Sequence, residues 1–296
     1  MKNTIFTGAG VAIATPMNAD GSINFDELGR LIDFNIDNGT DAIIICGTTG
    51  ESATMSDEEH IECIRYAVER TNKRVPVIAG TGSNDTRYAV SLSKEAEQLG
   101  ADALLVVTPY YNKTSQAGLV RHYTEIANAV SLPIIMYNVP SRTGVNIAPE
   151  TCAQLAQLDN IVAVKEASGN ISQVAQIAAL CGDSLDIYSG NDDQIIPIMS
   201  LGGKGVISVL SNCMPAETHE ICKLCLENRY GEARELAFRL HQFTKDLFCD
   251  VNPIPVKAAL NLMGFNAGPC RLPLVELSEA NMSKLTNTMK ELDLVK

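Results

Sequence analysis

Gly39-Thr40-Asp41-Ala42-Ile43-Ile44-Ile45 has an echo further along the chain, Gly100-Ala101-Asp102-Ala103-Leu104-Leu105-Val106. Each copy opens with a glycine able to stop a helix in a left-handed conformation. Each then passes an aspartate and enters an unbroken apolar run, the pattern of a strand buried on both faces. A second pair, Val75-Pro76-Val77-Ile78 and Leu132-Pro133-Ile134-Ile135, repeats a different device at a similar offset. Recurring punctuation of this kind is the signature of a repeated strand–helix unit.

Working outward from these repeats, the spacing predicts eight strands: 10–16, 40–46, 75–79, 101–107, 134–138, 160–165, 185–188 and 205–209. Helical spacing separates them, as in 26–38 through Leu28, Leu31, Ile32 and Ile36. Ser56 and Glu59 form a capping box that starts the helix carrying Ile61, Ile64 and Val68. Strands cease after Pro215, and the tail reads as helices broken at Pro253-Ile254-Pro255 and over 264–273. The expected fold class is α/β: a (β/α)8 TIM barrel over 1–228 with a C-terminal helical region, 229–296, packed on it. A doubly wound sheet is the competitor, weakened by the count of eight and by the lack of a Gly-x-Gly-x-x-Gly turn after the first strand.

The 296 residues are 46% apolar and carry a net charge of −12. That charge argues against nucleic acid or an anionic membrane as partner. No apolar run approaches the roughly 20 residues of a membrane span, and the N-terminus lacks the form of a signal peptide. Nine scattered cysteines, an odd number, suggest reduced thiols and a cytoplasmic protein. Cys222 and Cys225 have CxxC spacing but lie within a helical pattern with no second pair, so they read as packed thiols.

In a barrel of parallel strands the chemistry sits at the C-terminal strand ends. Those ends carry Thr48-Thr49, Tyr110-Tyr111, Tyr137-Asn138, Arg142, Lys165, Gly190-Asn191 and Ile207-Ser208. His60, His122, His219 and His241 all fall in helical stretches, so the rim offers no metal-binding set, and neither metal nor cofactor is expected. Lys165 closes the apolar run Asn160-Ile161-Val162-Ala163-Val164. Burial disfavours a charged amine, and a neutral amine is a nucleophile. Its plain reading is a solvated or Glu166-paired lysine past the rim. Set among phenols and hydroxyls, however, it suggests Schiff-base chemistry on a ketone, with Tyr137 one strand away as proton shuttle. The Gly47-Thr48-Thr49-Gly50 turn could cradle a carboxylate with its backbone N–H groups, or be an ordinary tight turn.

Four motifs, Gly47-Thr48-Thr49-Gly50-Glu51-Ser52, Pro109-Tyr110-Tyr111-Asn112-Lys113, Tyr137-Asn138-Val139-Pro140-Ser141-Arg142-Thr143-Gly144 and Val164-Lys165-Glu166-Ala167, together resemble the dihydrodipicolinate synthase family. These are class I pyruvate-dependent aldolases of the N-acetylneuraminate lyase superfamily, and the likeness covers almost the whole chain. The resemblance implies that Lys165 forms the Schiff base with pyruvate. Tyr137 would relay protons, linked through Thr48 to a Tyr111 reaching in from a neighbouring subunit of a homotetramer built from tight dimers. Thr48 and Thr49 would hold the pyruvate carboxylate, Arg142 the carboxylate of aspartate semialdehyde, and Gly190 and Ile207 would line the pocket. The implied product is 4-hydroxy-tetrahydrodipicolinate, early in diaminopimelate and lysine biosynthesis.

The chain departs from the family pattern at Thr114, where proline is usual. It departs again at a lysine-inhibition site: Ser52, Ala53, His60, Asn84 and Tyr110 match, but Tyr88 replaces the acidic residue and Asp57 stands where a histidine or aromatic is usual. Loss of a carboxylate partner for the ligand's ammonium implies weak or absent lysine inhibition. Within the superfamily the alternative is a lyase for sialic acid or a 2-keto-3-deoxy acid. Arg142 at the mouth suits a short acid with a second carboxylate better than a sugar acid. A keto-acid sensor without turnover, or a scaffold, would have no use for both Lys165 and Tyr137.

Overall fold

A computed structural model describes residues 2–296. Eight parallel strands close into a barrel in chain order: β1 Gly8–Ala12, β2 Ala42–Ile45, β3 Val77–Gly80, β4 Ala103–Val107, β5 Ile134–Asn138, β6 Ile161–Glu166, β7 Asp186–Ser189 and β8 Gly205–Ser208. β8 closes on β1 with Gly8 opposite Gly205 and Val11 opposite Ser208. Helices Phe25–Asp37, Asp57–Thr71, Thr86–Gln98, Gln116–Ala129, Pro149–Leu155, Ile171–Cys181, Ile195–Ser200 and Pro215–Leu226 follow the strands in turn.

The sequence echoes are structural equivalents. Gly39 and Gly100 take φ of +89° and +87° where their helices stop. The aspartates that follow do the same job two units apart: Asp41 accepts the Ala9 N–H at 2.7 Å, and Asp102 the Val77 N–H at 2.8 Å. Each fastens the strand after it to the strand before it. The two prolines match as well, with Ile43 donating to the Pro76 carbonyl at 3.0 Å and Leu104 to that of Pro133 at 2.9 Å. A proline has no N–H to offer the ladder, but its carbonyl still accepts.

Alternation along each strand divides the apolar side chains into two layers. One fills the barrel interior with Ile44, Ile78, Leu105, Ile135, Tyr137, Tyr188 and Ile207, among others. The other binds the strands to the helices and includes Ile43, Ile45, Leu104, Val106, Ile134, Met136 and Val164. Phe6 stacks on Tyr188 with ring centroids 4.4 Å apart, and the Tyr188 hydroxyl donates to the Phe6 carbonyl at 2.7 Å. The interior is thus packed solid, leaving chemistry to the rim.

The tail forms helices Tyr230–Asp246, Ile254–Leu262 and Glu279–Glu291. Pro253 and Pro255, expected to break a helix, instead begin one: Pro253 is the residue before its first turn and Pro255 lies within it. A proline costs nothing there, because those N–H groups have no intrahelical acceptor. The segment after this helix is tied to the barrel. Met17 donates to the Ala267 carbonyl at 3.0 Å, and the Arg271 guanidinium holds the Gly21 and Thr54 carbonyls and the Glu59 carboxylate. Glu59 also completes the capping box with Ser56. Cys222 and Cys225 are buried in Pro215–Leu226 and free, as packed thiols should be.

Asp41 has a further partner, His219 Nδ1 at 2.8 Å. That hydrogen bond raises the imidazole above its ordinary value, with burial opposing; Glu220 adds to the rise and Lys223 subtracts. A raised folded-state value means the folded form holds the proton more tightly. The stabilisation is therefore fully present below the ordinary histidine value of about 6.5 and is lost as pH climbs through the folded value. Thermal melts from about pH 6 to about pH 8 should show a small decline in Tm that a His219→Gln variant lacks. Parallel profiles for the two proteins would contradict this.

Candidate active site

A bulge in β6 decides where Lys165 points. β5 and β6 pair Ile134 with Ile161, but Ile135 with Ala163, so Val162 is an extra residue. Ile161 packs outward against the helices, while Val162 and Ala163 both face the interior. Beyond the bulge the phase is inverted, Val164 out and Lys165 in. Strict alternation from Ile161 would have sent Lys165 into the helix layer. A bulge re-aiming a side chain beside a functional site is a recurrent device.

Lys165 is 6% exposed, and its Nζ lies 4.3 Å from the centre of the Tyr137 ring, the residue directly opposite it on β5. The lysines that form ion pairs among the described residues are Lys204, Lys223 and Lys257, not Lys165. Glu166 faces away, as alternation demands. Its carboxylate accepts from the Ser168 N–H, Asn138 Nδ2 and Gln173 Nε2 at 2.6, 3.0 and 3.1 Å. That network anchors the ends of β5 and β6 from behind and leaves the Lys165 amine unencumbered.

The residue at 190 must be small. A Cβ there would stand 2.7 Å from the Ala167 Cβ and 3.1 Å from the Lys165 Cε. Gly190 thus leaves room for the lysine stem, and its N–H bonds the Glu166 carbonyl at 2.8 Å. Across the barrel, the Gly47–Gly50 segment is a tight turn, with the Gly50 N–H on the Gly47 carbonyl and the Glu51 N–H on the Thr48 carbonyl, both at 3.1 Å. Arg142 sits on a short helix, Pro140–Thr143, and is exposed at the mouth.

Lys165, Tyr137, Thr48, Thr49, Arg142 and Gly190 line one cavity of ≈ 200 Å³. Two tail residues, Phe248 and Asn252, complete its wall. Asn252 Nδ2 donates to the Thr49 hydroxyl at 3.0 Å, and its carbonyl accepts from Arg142 at 3.2 Å. Sequence reasoning missed Asn252, because a search of strand ends does not reach a loop of the helical tail. The only local signal was an asparagine placed before Pro253-Ile254-Pro255. Ile207 is fully buried in the barrel interior, and Val209 forms the neighbouring cavity wall. Tyr111 does not line the cavity: it is 91% exposed, with a φ of +70°.

A second cavity shares Thr48 and Arg142 with the first and adds Ser52, Ala53, His60, Tyr110, Asp57 and Tyr88. Asn84 is not on its wall; its carbonyl accepts from Asn112 Nδ2 at 3.0 Å. The Tyr88 hydroxyl donates to Asp57 at 2.7 Å, and burial with that bond pushes the phenol up to about 12. His60 Nε2 lies 2.8 Å from the Gly80 carbonyl, and burial lowers its pKa, favouring the neutral ring.

The chain resembles known proteins over its whole length. It is 59% identical to a 4-hydroxy-tetrahydrodipicolinate synthase of Lachnoclostridium phytofermentans, covering 98% of this chain and 99% of that one. The dihydrodipicolinate synthase of Aquifex aeolicus superposes with a TM-score of 0.96 at 46% identity, over 98% of this chain and 99% of the other. A dihydrodipicolinate synthase variant characterised as monomeric also gives 0.96, at 42% identity and 98% of each chain. Residues 5–292 match the pattern of one family from end to end, and the chain accordingly belongs to the dihydrodipicolinate synthetase family.

Proposed function

We propose that this enzyme, a lyase of the class I aldolase type, condenses pyruvate with L-aspartate 4-semialdehyde to 4-hydroxy-tetrahydrodipicolinate in lysine biosynthesis. The observation that carries the reading is the buried Lys165 amine over the Tyr137 ring, in one cavity with the Thr48-Thr49 turn and Arg142. The amine adds to the ketone carbon of pyruvate, and loss of water leaves an iminium. That electron sink releases a methyl proton, and the resulting enamine carbon attacks the aldehyde. The amino group of the semialdehyde then displaces the Lys165 nitrogen from the re-formed iminium carbon, closing the ring and freeing the lysine. Tyr137 carries protons between these steps, relayed through Thr48. The Thr48-Thr49 turn holds the pyruvate carboxylate, and Arg142, exposed at the mouth, meets the carboxylate of the second substrate.

Tyr111 is the third member of the relay, contributed across an interface of a cytoplasmic homotetramer. A tyrosine 91% exposed in its own chain, held out by a left-handed residue, is suited to that task. A coupled assay supplying pyruvate with aspartate semialdehyde should give turnover, while N-acetylneuraminate should give none. The opposite pattern would favour a sugar-acid lyase.

The second cavity supports weak or absent lysine inhibition. Position 88 offers a phenol in place of a carboxylate, and that phenol already engages Asp57. Half-inhibition by lysine should require about 1 mM or more. A value well below that would contradict this reading.

A further inference from the structure

Lys257 and Glu51 form a buried ion pair that faces no substrate. They are 1% and 4% exposed, with Nζ 2.8 Å from Oε1. Both groups are further satisfied: Lys257 donates to the Pro269 carbonyl at 2.5 Å, and Oε2 of Glu51 accepts the Arg271 N–H at 2.9 Å. Removing two charges from water is costly, so such a pair is weak evidence for added stability; fixing a register is its best-attested use.

The register at stake is that of the Thr48-Thr49 turn. Glu51 is its last residue, donating its N–H to the Thr48 carbonyl and holding a φ of +57°, unfavourable for a side chain with a Cβ. Lys257 lies on helix Ile254–Leu262, whose approach carries Asn252, the residue bonded to Thr49. One tail segment therefore grips the turn at two points, on Thr49 and on Glu51.

We propose that Lys257 and Glu51 are positioning residues whose ion pair sets the orientation of the Thr48-Thr49 turn toward the keto-acid carboxylate. The proposal rests on reading that turn as the pyruvate cradle. A displaced cradle weakens pyruvate binding while leaving Lys165 on β6 and Arg142 on its own short helix, Pro140–Thr143, where one bond to the Asn252 carbonyl is its link to the tail. The second substrate should be the less affected of the two.

The test is the double variant Glu51→Gln/Lys257→Met, which removes both charges together so that neither is left buried alone. Half-saturation of borohydride-trapped adduct by pyruvate should rise about tenfold or more, with KM for aspartate semialdehyde changed less than about twofold. A merely structural pair would lower Tm without separating the two substrates. Should the double variant fail to fold, Glu51→Asp keeps the charge, shortens the arm and should give the same separation. Unmoved pyruvate half-saturation in the folded variant, or an equal rise for both substrates, overturns the proposal. Absence of any adduct in the unaltered enzyme overturns the pyruvate reading and this proposal with it, whereas a normal adduct there confines the failure to the ion pair.

Discussion

A Lys165→Ala variant should form no covalent adduct with pyruvate and lose activity by a factor on the order of 10⁴ or more, because the change removes the reaction's covalent route and not one contact among several. Folding should survive the change. Lys165 is absent from the ion pairs of the described residues, and the buried Asp192 carboxyl, which feels its charge, keeps the Val209 and Leu210 N–H groups when the lysine is removed. The cavity left is lined partly by polar groups and opens toward the mouth, so water can enter it. Lys165→Arg should fail as completely, since a guanidinium stays protonated and cannot add to a carbonyl. Activity, Tm and intact mass after borohydride treatment check the three parts separately. Appreciable turnover by either variant would remove the amine from the mechanism.

Tyr137→Phe should lower kcat by roughly 10²–10⁴-fold, the usual range for losing a positioned proton-transfer group. The ring packs 4.3 Å beneath the Lys165 Nζ and is 7% exposed, so phenylalanine keeps the contact and the packing and loses only the hydroxyl. Pyruvate should therefore still be trapped on Lys165, but more slowly, with Tm nearly unchanged. A variant as fast as the parent would assign the proton transfers to another group.

The barrel was legible in the sequence because its units are local. Gly39, Asp41 and Pro76 perform bonds within one strand–helix unit or to its nearest neighbour, and Gly100, Asp102 and Pro133 repeat them. The strand-end lysine, tyrosine and threonines were legible for the same reason, since parallel strands deliver their ends to one rim. The inward aim of Lys165 was not legible, because it depends on the Val162 bulge, and an apolar run shows no phase. Neither were Asn252, Lys257 and Arg271, whose partners Thr49, Glu51 and Glu59 lie about two hundred residues earlier. Side-chain periodicity reports on neighbours along an element and is silent about such long-range bonds. Glu51 was visible only as part of a motif; its burial against a lysine of the tail appears only in the folded chain.

The proposed reaction stands or falls on the Lys165 amine as the nucleophile toward pyruvate. Borohydride reduction in the presence of pyruvate, followed by intact mass and peptide mapping, tests it most directly. The chain should gain the mass of one pyruvic acid less one oxygen atom, carried on the peptide containing Lys165. A folded protein that gains no mass, or carries the adduct on another lysine, contradicts it.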